Sequence, residues 1–247
     1  MRDAFWDLVV GGRCTGCGIP GRLLCADCRA SLPREAFLTA PEPSPPGLAP
    51  VLAASTYDGA VRRMMLAHKD RRALALAEPL GELLAVAAGA VLRGWPPEGR
   101  ALLVPVPGRR ASTRARGHDP LARVLAVAGR ALGGAPGEPV VCPLLRRSRR
   151  AADQRDLDAA GRAANPAGAF AVRGRLLDRI AASGVPVGAL VCDDVITTGW
   201  TAREAQRALE EAGVPVAAVA VVAATRRRLG TSVAASPGSL PISRTGR

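Results

Sequence analysis

The chain has 247 residues, enough for one α/β domain of ordinary size and a small appendage, and 48% of them are hydrophobic. Aromatic residues make up only 3%, which disfavours a nucleic-acid groove built from stacking side chains. The net charge of +13 favours a polyanionic partner such as nucleic acid, a phosphorylated metabolite or a membrane surface, although Lys69 is the only lysine and an arginine-rich composition explains part of the excess.

The first predicted unit, residues 1–34, contains two closely spaced cysteine pairs. Cys14 pairs with Cys17 and Cys25 with Cys28, and seven residues separate the pairs. Four thiolates at this spacing suit tetrahedral zinc, and a module with almost no apolar core would need that metal to fold. Disulfides and free thiols are the alternatives. Four protein ligands leave no open coordination position, so we predict a structural Zn²⁺ rather than a catalytic one.

Two observations argue against secretion and membrane insertion. Asp3 and Asp7 interrupt the apolar N-terminal stretch, which therefore lacks the core of a signal peptide. The longest apolar run, 214–225, is about 12 residues long and contains Pro215, well short of the roughly 20 that span a bilayer. Paired cysteines in a chain of this length are typical of metal binding in a reducing compartment. We therefore expect a cytoplasmic protein with no membrane span.

Composition divides the rest of the chain into three parts. Residues 35–50 are rich in proline and predict an extended, semi-rigid connector. Residues 51–229 alternate helical and strand-like patterns and predict the main domain. Residues 230–247 contain Gly, Ser, Pro and Arg without periodicity, which predicts a disordered tail.

Within 51–229 the order of the elements predicts the fold class. Helices are predicted over 80–93 and 120–132, and Asp119 is placed to cap the second. Near-continuous apolar runs are typical of strands buried on both faces of a parallel sheet. Strands alternating with helices predict an α/β fold, with a mostly parallel sheet and helices on both faces. The predicted strands are 101–106, 140–145, 169–172, 187–192 and 216–223.

The segment after the 187–192 strand has the strongest chemical pattern. Asp193 and Asp194 follow the strand directly, and a small turn, Thr197-Thr198-Gly199, comes next. Ligands of an open α/β sheet bind beyond the carboxyl ends of its strands. A glycine-containing turn before a helix offers amide donors to a phosphate, and two carboxylates accept hydrogen bonds from a diol and hold a hydrated divalent cation. The pattern indicates a ribose 5-phosphate; the alternative is an ordinary strand-to-helix turn capped by the aspartates.

The helix that follows this turn has sequence signals at both ends. Thr201 and Glu204 have the spacing of a capping box. Gly213, with Pro215 beyond it, predicts where the helix stops.

An apolar strand, two acidic residues and a Thr-Thr-Gly-x-Thr loop resemble the phosphoribosyl pyrophosphate signature of type I phosphoribosyltransferases. The fuller pattern resembles the ComF family, bacterial proteins associated with competence and DNA uptake that pair a Cys-rich N-terminus with this domain. His118-Asp119 departs from the Phe-Asn usual in that family, and Trp200 stands where a small residue is usual. The recurring pieces, which span nearly all of the chain before the tail, are Tyr57-Asp58-Gly59, His68-Lys69, Val104-Pro105-Val106-Pro107, Arg116-Gly117, Gln154, Arg162 with Asn165, Phe170 and the signature itself.

The resemblance implies a protein that binds phosphoribosyl pyrophosphate with Mg²⁺ and transfers the phosphoribosyl group with release of pyrophosphate. Asp193, Asp194 and Arg109 would then be catalytic, and the two aspartates would hold Mg²⁺ through the ligand. Segment 146–165 would be a mobile loop that closes over the substrate and excludes water. The implied substrate-binding residues are Lys69, Pro107, Gly108, Arg116, Thr197, Thr198, Gly199 and Thr201.

Two functions are open at this point. One is an active phosphoribosyltransferase with an unidentified acceptor. The other is a non-catalytic adaptor in DNA uptake or recombination that keeps the phosphoribosyl site and contacts protein partners or nucleic acid. A P-loop ATPase fails because the chain has no G-x4-G-K-[ST] motif. A glutamine-dependent amidotransferase is disfavoured because no cysteine follows Met1 to act as an N-terminal nucleophile.

Overall fold

The computed structural model describes residues 12–108, 119–148 and 168–225, which form an α/β unit with a cysteine cluster near its N-terminus. The strands are β1 (Phe37–Thr39), β2 (Val51–Thr56), β3 (Arg100–Pro105), β4 (Val140–Val141), β5 (Leu145–Arg147), β6 (Phe170–Val172), β7 (Val187–Ile196) and β8 (Val216–Ala224). The helices are α1 (Ala26–Ala30), α2 (Gly59–Asp70), α3 (Ala77–Leu92), α4 (Pro120–Ala131), α5 (Gly174–Ala181) and α6 (Trp200–Glu210).

Six strands form the main sheet, in the spatial order β1, β2, β8, β7, β3, β4. Every neighbouring pair is parallel except β1 with β2, which is antiparallel. Strands β5 and β6 pair antiparallel in a separate two-stranded sheet. The prediction of an α/β fold with a mostly parallel sheet is confirmed.

The central strands are the most apolar segments of the sequence because both of their faces are covered. All nine residues of β8 are buried, as are the first six of β7. The prediction for 187–192 is too short, since β7 continues to Ile196 and includes Asp193 and Asp194. The prediction for 140–145 is wrong as a single strand. Pro143 lacks an N–H for a ladder, and it separates β4 in the main sheet from β5 in the small one.

Helices cover both faces of the sheet, as predicted. On one face α2, α3 and α4 contribute Met64, Leu84 and Leu125 to a buried cluster. On the other face α6 contributes Ala205 and Leu209 to a second cluster. Helix α4 begins where the sequence indicates, since Asp119 accepts a hydrogen bond from the Ala122 amide at 3.1 Å.

The chain between Leu74 and Leu92 is a 19-residue apolar helical stretch, formed by a short 3₁₀ turn and α3. By length and composition alone it could cross a membrane. Eleven of the 16 residues of α3 are buried, against the sheet and α4. This packing is that of a core helix in a folded domain.

Candidate functional site

The carboxyl ends of β3 and β7 meet at a point where the chain leaves the sheet toward opposite faces. From β3 it continues to α4 on one face, and from β7 to α6 on the other. Such a switch point opens a crevice at the end of a parallel sheet. The Val106 amide donates to the Cys192 carbonyl at 2.9 Å, which brings Pro107 and Gly108 beside the aspartates of β7. Pro107-Gly108 and Asp193-Asp194, which the sequence predicts to bind the same ligand, therefore lie next to each other in the structure.

Asp194 forms an ion pair with Lys69 at this edge. Its Oδ2 lies 2.5 Å from the Lys69 Nζ, which comes from the last turn of α2. Side chains alternate along a strand, so Asp194 lies on the α2 face of the sheet with Leu190 and Cys192, and Asp193 lies on the opposite face. The two carboxylates thus lie on opposite faces of the sheet near the end of β7. The positive charge of Lys69 compensates the negative charge of Asp194.

Asp193 is the more unusual of the two carboxyl groups. Its Oδ1 accepts a hydrogen bond from the Asp194 amide at 2.8 Å. Burial in the first place, and the negative charge of Asp194 in the second, raise the pKa of Asp193 to about 8, although that amide and Lys69 act in the other direction. The group is therefore mostly protonated at neutral pH. A cation brought near it would favour release of that proton.

The turn after β7 exposes its hydroxyl groups and buries its glycine. Thr197 and Thr198 are exposed, whereas Gly199 is buried with a φ of 74°. A Cβ at Gly199 would lie 2.7 Å from Pro41 Cγ and 3.0 Å from Leu48 Cδ2. Glycine is required at this position for two reasons: the backbone is left-handed, and neighbouring side chains leave no space for a Cβ.

Helix α6 starts without the capping box that the sequence suggested, so that prediction is wrong. Gly199 is the N-cap and Thr201 lies within the first turn. The Glu204 side chain is instead buried, pairs with Arg207 at 2.7 Å, and accepts from the Phe170 amide at 3.5 Å. Arg207, one turn further along α6, and the distant Phe170 amide take the carboxylate that would have reached back to the cap.

The Pro-rich connector lies against α6 and the Thr-Thr-Gly turn. Arg203 donates from Nε to the Pro46 carbonyl at 3.0 Å. Gln206 donates to the Gly47 carbonyl at 3.0 Å and accepts from the Ala49 amide at 2.9 Å. These bonds attach residues 46–49 to the helix that begins at the turn. Sequence composition indicates an extended segment but does not reveal this docking.

A small cavity of about 10 Å³ adjoins the ion pair, lined by Lys69, Asp194, His68 and apolar side chains. A space of this size holds roughly one water molecule, so it is not a substrate pocket. The buried His68 ring lies 3.3 Å from the Ala73 carbonyl through Nδ1 and 3.2 Å from the Pro120 carbonyl through Nε2. His68 therefore joins α2 to the start of α4 as a structural residue.

Arg147 is a residue that sequence reasoning did not single out by itself. Its Nε donates to the Gly108 carbonyl at 3.1 Å, and its guanidinium carbon lies 5.4 Å from the centroid of the Phe170 ring. It thereby ties the small sheet to the loop after β3. Because Arg147 stands in an arginine-rich run, nothing in the neighbouring sequence distinguishes it as the residue that makes this contact. Several positions of the predicted motifs lie outside the described residues, namely Arg109, Arg116, Gly117, His118, Gln154, Arg162 and Asn165. The predicted mobile loop from residue 149 onward and the predicted tail 230–247 lie outside them as well.

The four cysteines of the N-terminal module form one cluster. The four Sγ atoms all lie within 4.8 Å of one another, and Cys17 and Cys25 are 3.7 Å apart. Sulfur atoms at the corners of a tetrahedron around zinc are separated by about 3.8 Å, given a Zn–S bond of about 2.3 Å. None of the six cysteines, all of which lie in the described ranges, is in a disulfide. The cluster can hold a metal ion such as zinc.

Backbone and charge at this cluster also suit a cation. Burial raises the pKa of Cys14, but amide donors led by that of Cys25 outweigh it and lower the pKa to about 6. At Cys28 the neighbouring Cys25 thiol and burial raise the pKa to about 12. Four thiolates therefore coexist only if a cation compensates their charge. A Cβ at Gly16 would lie 2.5 Å from the Cys28 Sγ, so the turn has no room for a larger residue.

Arginines attach this module to the α/β domain. Arg29 on α1 lies 2.5 Å from Glu82 and 3.6 Å from Glu78, both on α3. Arg63 on α2 donates to the carbonyls of Thr15, at 2.8 Å, and of Gly16. The turn between the first two cysteines therefore rests directly on α2, the helix that also carries Lys69.

A comparison with protein-family models and a comparison with curated proteins both find no match for this chain.

Proposed function

We propose that this protein is a phosphoribosyltransferase-type protein of the ComF kind, whose ligand is phosphoribosyl pyrophosphate with a divalent cation. One observation carries the proposal. Asp193 and Asp194 stand at the carboxyl end of a central parallel strand, the Thr-Thr-Gly turn and the start of α6 follow them, and the loop after β3 lies alongside.

Each part of the crevice suits one part of this ligand. The exposed Thr197 and Thr198, with the amides that begin the 11-residue helix α6, would bind the 5-phosphate. Asp193 and Asp194 would accept hydrogen bonds from the ribose hydroxyls. Pro107 and Gly108 lie on the neighbouring strand end, where the pyrophosphate would be held.

The acidic pair also suits Mg²⁺, which binds few carboxylates and keeps most of its water. Burial and the negative charge of Asp194 raise the pKa of Asp193, and Lys69, which pairs with Asp194, offsets this only in part, so a divalent cation nearby would favour the ionised carboxylate. When bound, Mg²⁺ would neutralise charge that develops on the departing pyrophosphate.

The reaction class is displacement of pyrophosphate at the anomeric carbon of the ribose. In this scheme the chain itself positions the sugar and shields it from water, and no dedicated base is needed. In this proposal Lys69 would have a second task. Released from Asp194 when the ribose hydroxyls bind, its ammonium group would remain within reach of a ligand phosphate.

The Lys69–Asp194 ion pair also favours a second candidate, a non-catalytic adaptor in DNA uptake. A carboxylate already neutralised at 2.5 Å is less available to a substrate, so the fold would bind a ribose phosphate without turning it over. Release of pyrophosphate in the presence of candidate acceptors distinguishes the two functions.

Calorimetric titration of phosphoribosyl pyrophosphate into the zinc-loaded chain with Mg²⁺ tests the proposal. We expect saturable binding that is lost in the double variant Asp193→Asn/Asp194→Asn and kept in Asp178→Asn, which changes an exposed carboxylate on α5. The unfolding transition of each variant verifies that it is folded. Absence of binding to the folded wild type would contradict both proposed functions, the phosphoribosyltransferase and the adaptor that binds a ribose phosphate.

A further inference from the structure

A cleft of about 570 Å³ lies between the cysteine module and α2, and it shares no lining residue with the cavity beside Lys69 and Asp194. On one side it is lined by the chain from Arg13 to Gly18, which includes the first two cysteines. On the other side it is lined by Arg63, Leu66, Ala67 and Arg71. We call this space the arginine cleft. Its volume is in the range of small-molecule sites.

The charge of the arginine cleft is positive. Among the described residues, its lining includes Arg13, Arg63 and Arg71 and no Asp or Glu. Four thiolates around one Zn²⁺ have a net charge of about −2. The three guanidinium groups exceed that charge, so an anion is attracted to the cleft even when the cysteine cluster holds its metal.

The arginines retain donors for a ligand. Arg63 uses Nε and one terminal nitrogen on the Thr15 and Gly16 carbonyls, and Arg13 uses one terminal nitrogen on the Gly18 carbonyl at 3.1 Å. A guanidinium group has five N–H donors, so N–H groups remain on each. Among the described residues, no carboxylate pairs with Arg71. Two of the three arginines are thus held in place by the protein and still have donors for an anion.

The number of arginines and the volume of the cleft indicate the size of that anion. Arg63 and Arg71 are eight residues apart on and just after α2, which corresponds to about 12 Å along the helix axis. Three arginines around a cleft of about 570 Å³ offer charge and space for more than one phosphate group. Within the part of the chain that the structure describes, no aromatic residue lines the cleft and the lining is confined to two short segments, which favours neither base stacking nor a long nucleic-acid groove.

We propose that the arginine cleft binds a compact anion with two or more adjacent phosphate groups. The guanidinium groups recognise the phosphates by charge-assisted hydrogen bonds. This site is separate from the ribose-phosphate crevice, and it would exist even if the proposed function of that crevice were wrong.

Amide chemical shifts of the ¹⁵N-labelled, zinc-loaded full chain, titrated with sodium tripolyphosphate without Mg²⁺ at 0.15 M NaCl, test this proposal. We expect saturable shifts at Thr15, Gly16, Gly18 and Arg71. Arg71→Gln is the informative variant because that side chain holds no part of the cysteine module, and it should weaken binding by roughly tenfold or more. Arg130→Gln, an exposed arginine on α4, is the matched control and should bind as the wild type does.

Three results would overturn the proposal. The first is no saturable shift at the cleft, or shifts only at the turn 197–199. The second is equal weakening by Arg71→Gln and Arg130→Gln, which would indicate general charge attraction. The third is displacement of tripolyphosphate by a single-stranded oligonucleotide with a lower dissociation constant, which would identify an extended nucleic-acid strand as the ligand. Zinc content measured after the titration shows that the cluster stayed intact.

Discussion

The cysteine module and the central sheet are stabilised in opposite ways. Between residues 12 and 34 only Cys14 is buried, whereas β8 has nine buried residues in succession. The sheet therefore gains its stability from apolar area removed from water. The module has little such area, since Leu23, Leu24 and Leu32 are only partly buried against the domain core, so a metal held by its four sulfur atoms would supply much of its folding energy. We therefore expect the two neighbouring parts of the chain to depend on different chemistry, so that each can be perturbed separately.

The largest expected effect is loss of the metal. Cys17→Ser, or removal of zinc by a chelator, should unfold the module, because structural zinc in small modules contributes on the order of 10 kcal/mol to folding. The α/β domain should stay folded. Metal analysis and amide spectra measure both effects. Cys142→Ala, which changes a buried cysteine outside the cluster, should keep the zinc. Simultaneous unfolding of the sheet in Cys17→Ser would contradict the proposed independence.

A second effect concerns packing at the turn after β7. Gly199→Ala should destabilise the domain by roughly 2–5 kcal/mol, since a left-handed residue costs about 1–2 and overpacking about 1–3. Gly184→Ala is the matched control: its φ is 67°, similar to the 74° of Gly199, but a Cβ there meets nothing within 4 Å. Urea unfolding should show the smaller, backbone-only cost for Gly184→Ala. Equal decreases in the free energy of unfolding of the two variants would show that close packing of the connector against the turn does not contribute.

The third effect is a pH dependence located at the acidic pair. The pKa of Asp193 is raised from an ordinary value of 3.8 to about 8, so the folded chain binds this proton more tightly than the unfolded chain. Its contribution to stability is complete below about pH 4 and is lost as the pH rises to about 8. The free energy of unfolding should therefore fall from pH 6 to pH 8, with a slope of at most about 1.4 kcal/mol per unit from this group.

Asp193→Asn should remove that slope, since the amide resembles the protonated acid. Asp178→Asn should keep it, because its carboxylate is exposed. Urea unfolding of the zinc-loaded proteins at pH 6, 7 and 8 measures the difference. A wild-type slope that persists in Asp193→Asn would assign the pH dependence to another group.

The smallest effect is at the contact between the two regions. The Arg29–Glu82 pair is nearly half exposed, at 43% and 45% of the side-chain areas, so a double-mutant cycle with Arg29→Ala and Glu82→Gln should give about 0.2–1 kcal/mol. Thermal unfolding measures it. Arg22→Ala, at an exposed arginine of the same module, serves as the control and should change nothing. A coupling of several kcal/mol would mean that the module depends on the domain as much as on its metal.

Sequence patterns located the parts of the candidate site but not their arrangement. Local patterns predicted α4 with its Asp119 cap and most of β7 and β8, because burial on both faces leaves a continuous apolar run. They gave no signal for β1, which has only three residues. The Glu204 prediction was wrong because a distant backbone amide competes for the same carboxylate. Pairing of Asp194 with Lys69 depends on helix packing across 125 residues of chain, which no local spacing encodes.

The sequence by itself determined the fold class, the four-cysteine cluster and the position of the acidic pair before a Thr-Thr-Gly turn, because each of these follows from short-range spacing and burial. Tertiary structure alone decided which groups meet. It placed Pro41 against Gly199, Arg147 on Gly108 and the cysteine turn on α2. The physical reason is that side-chain partners are chosen by the packing of elements far apart in the chain, and a periodic pattern carries no record of that choice.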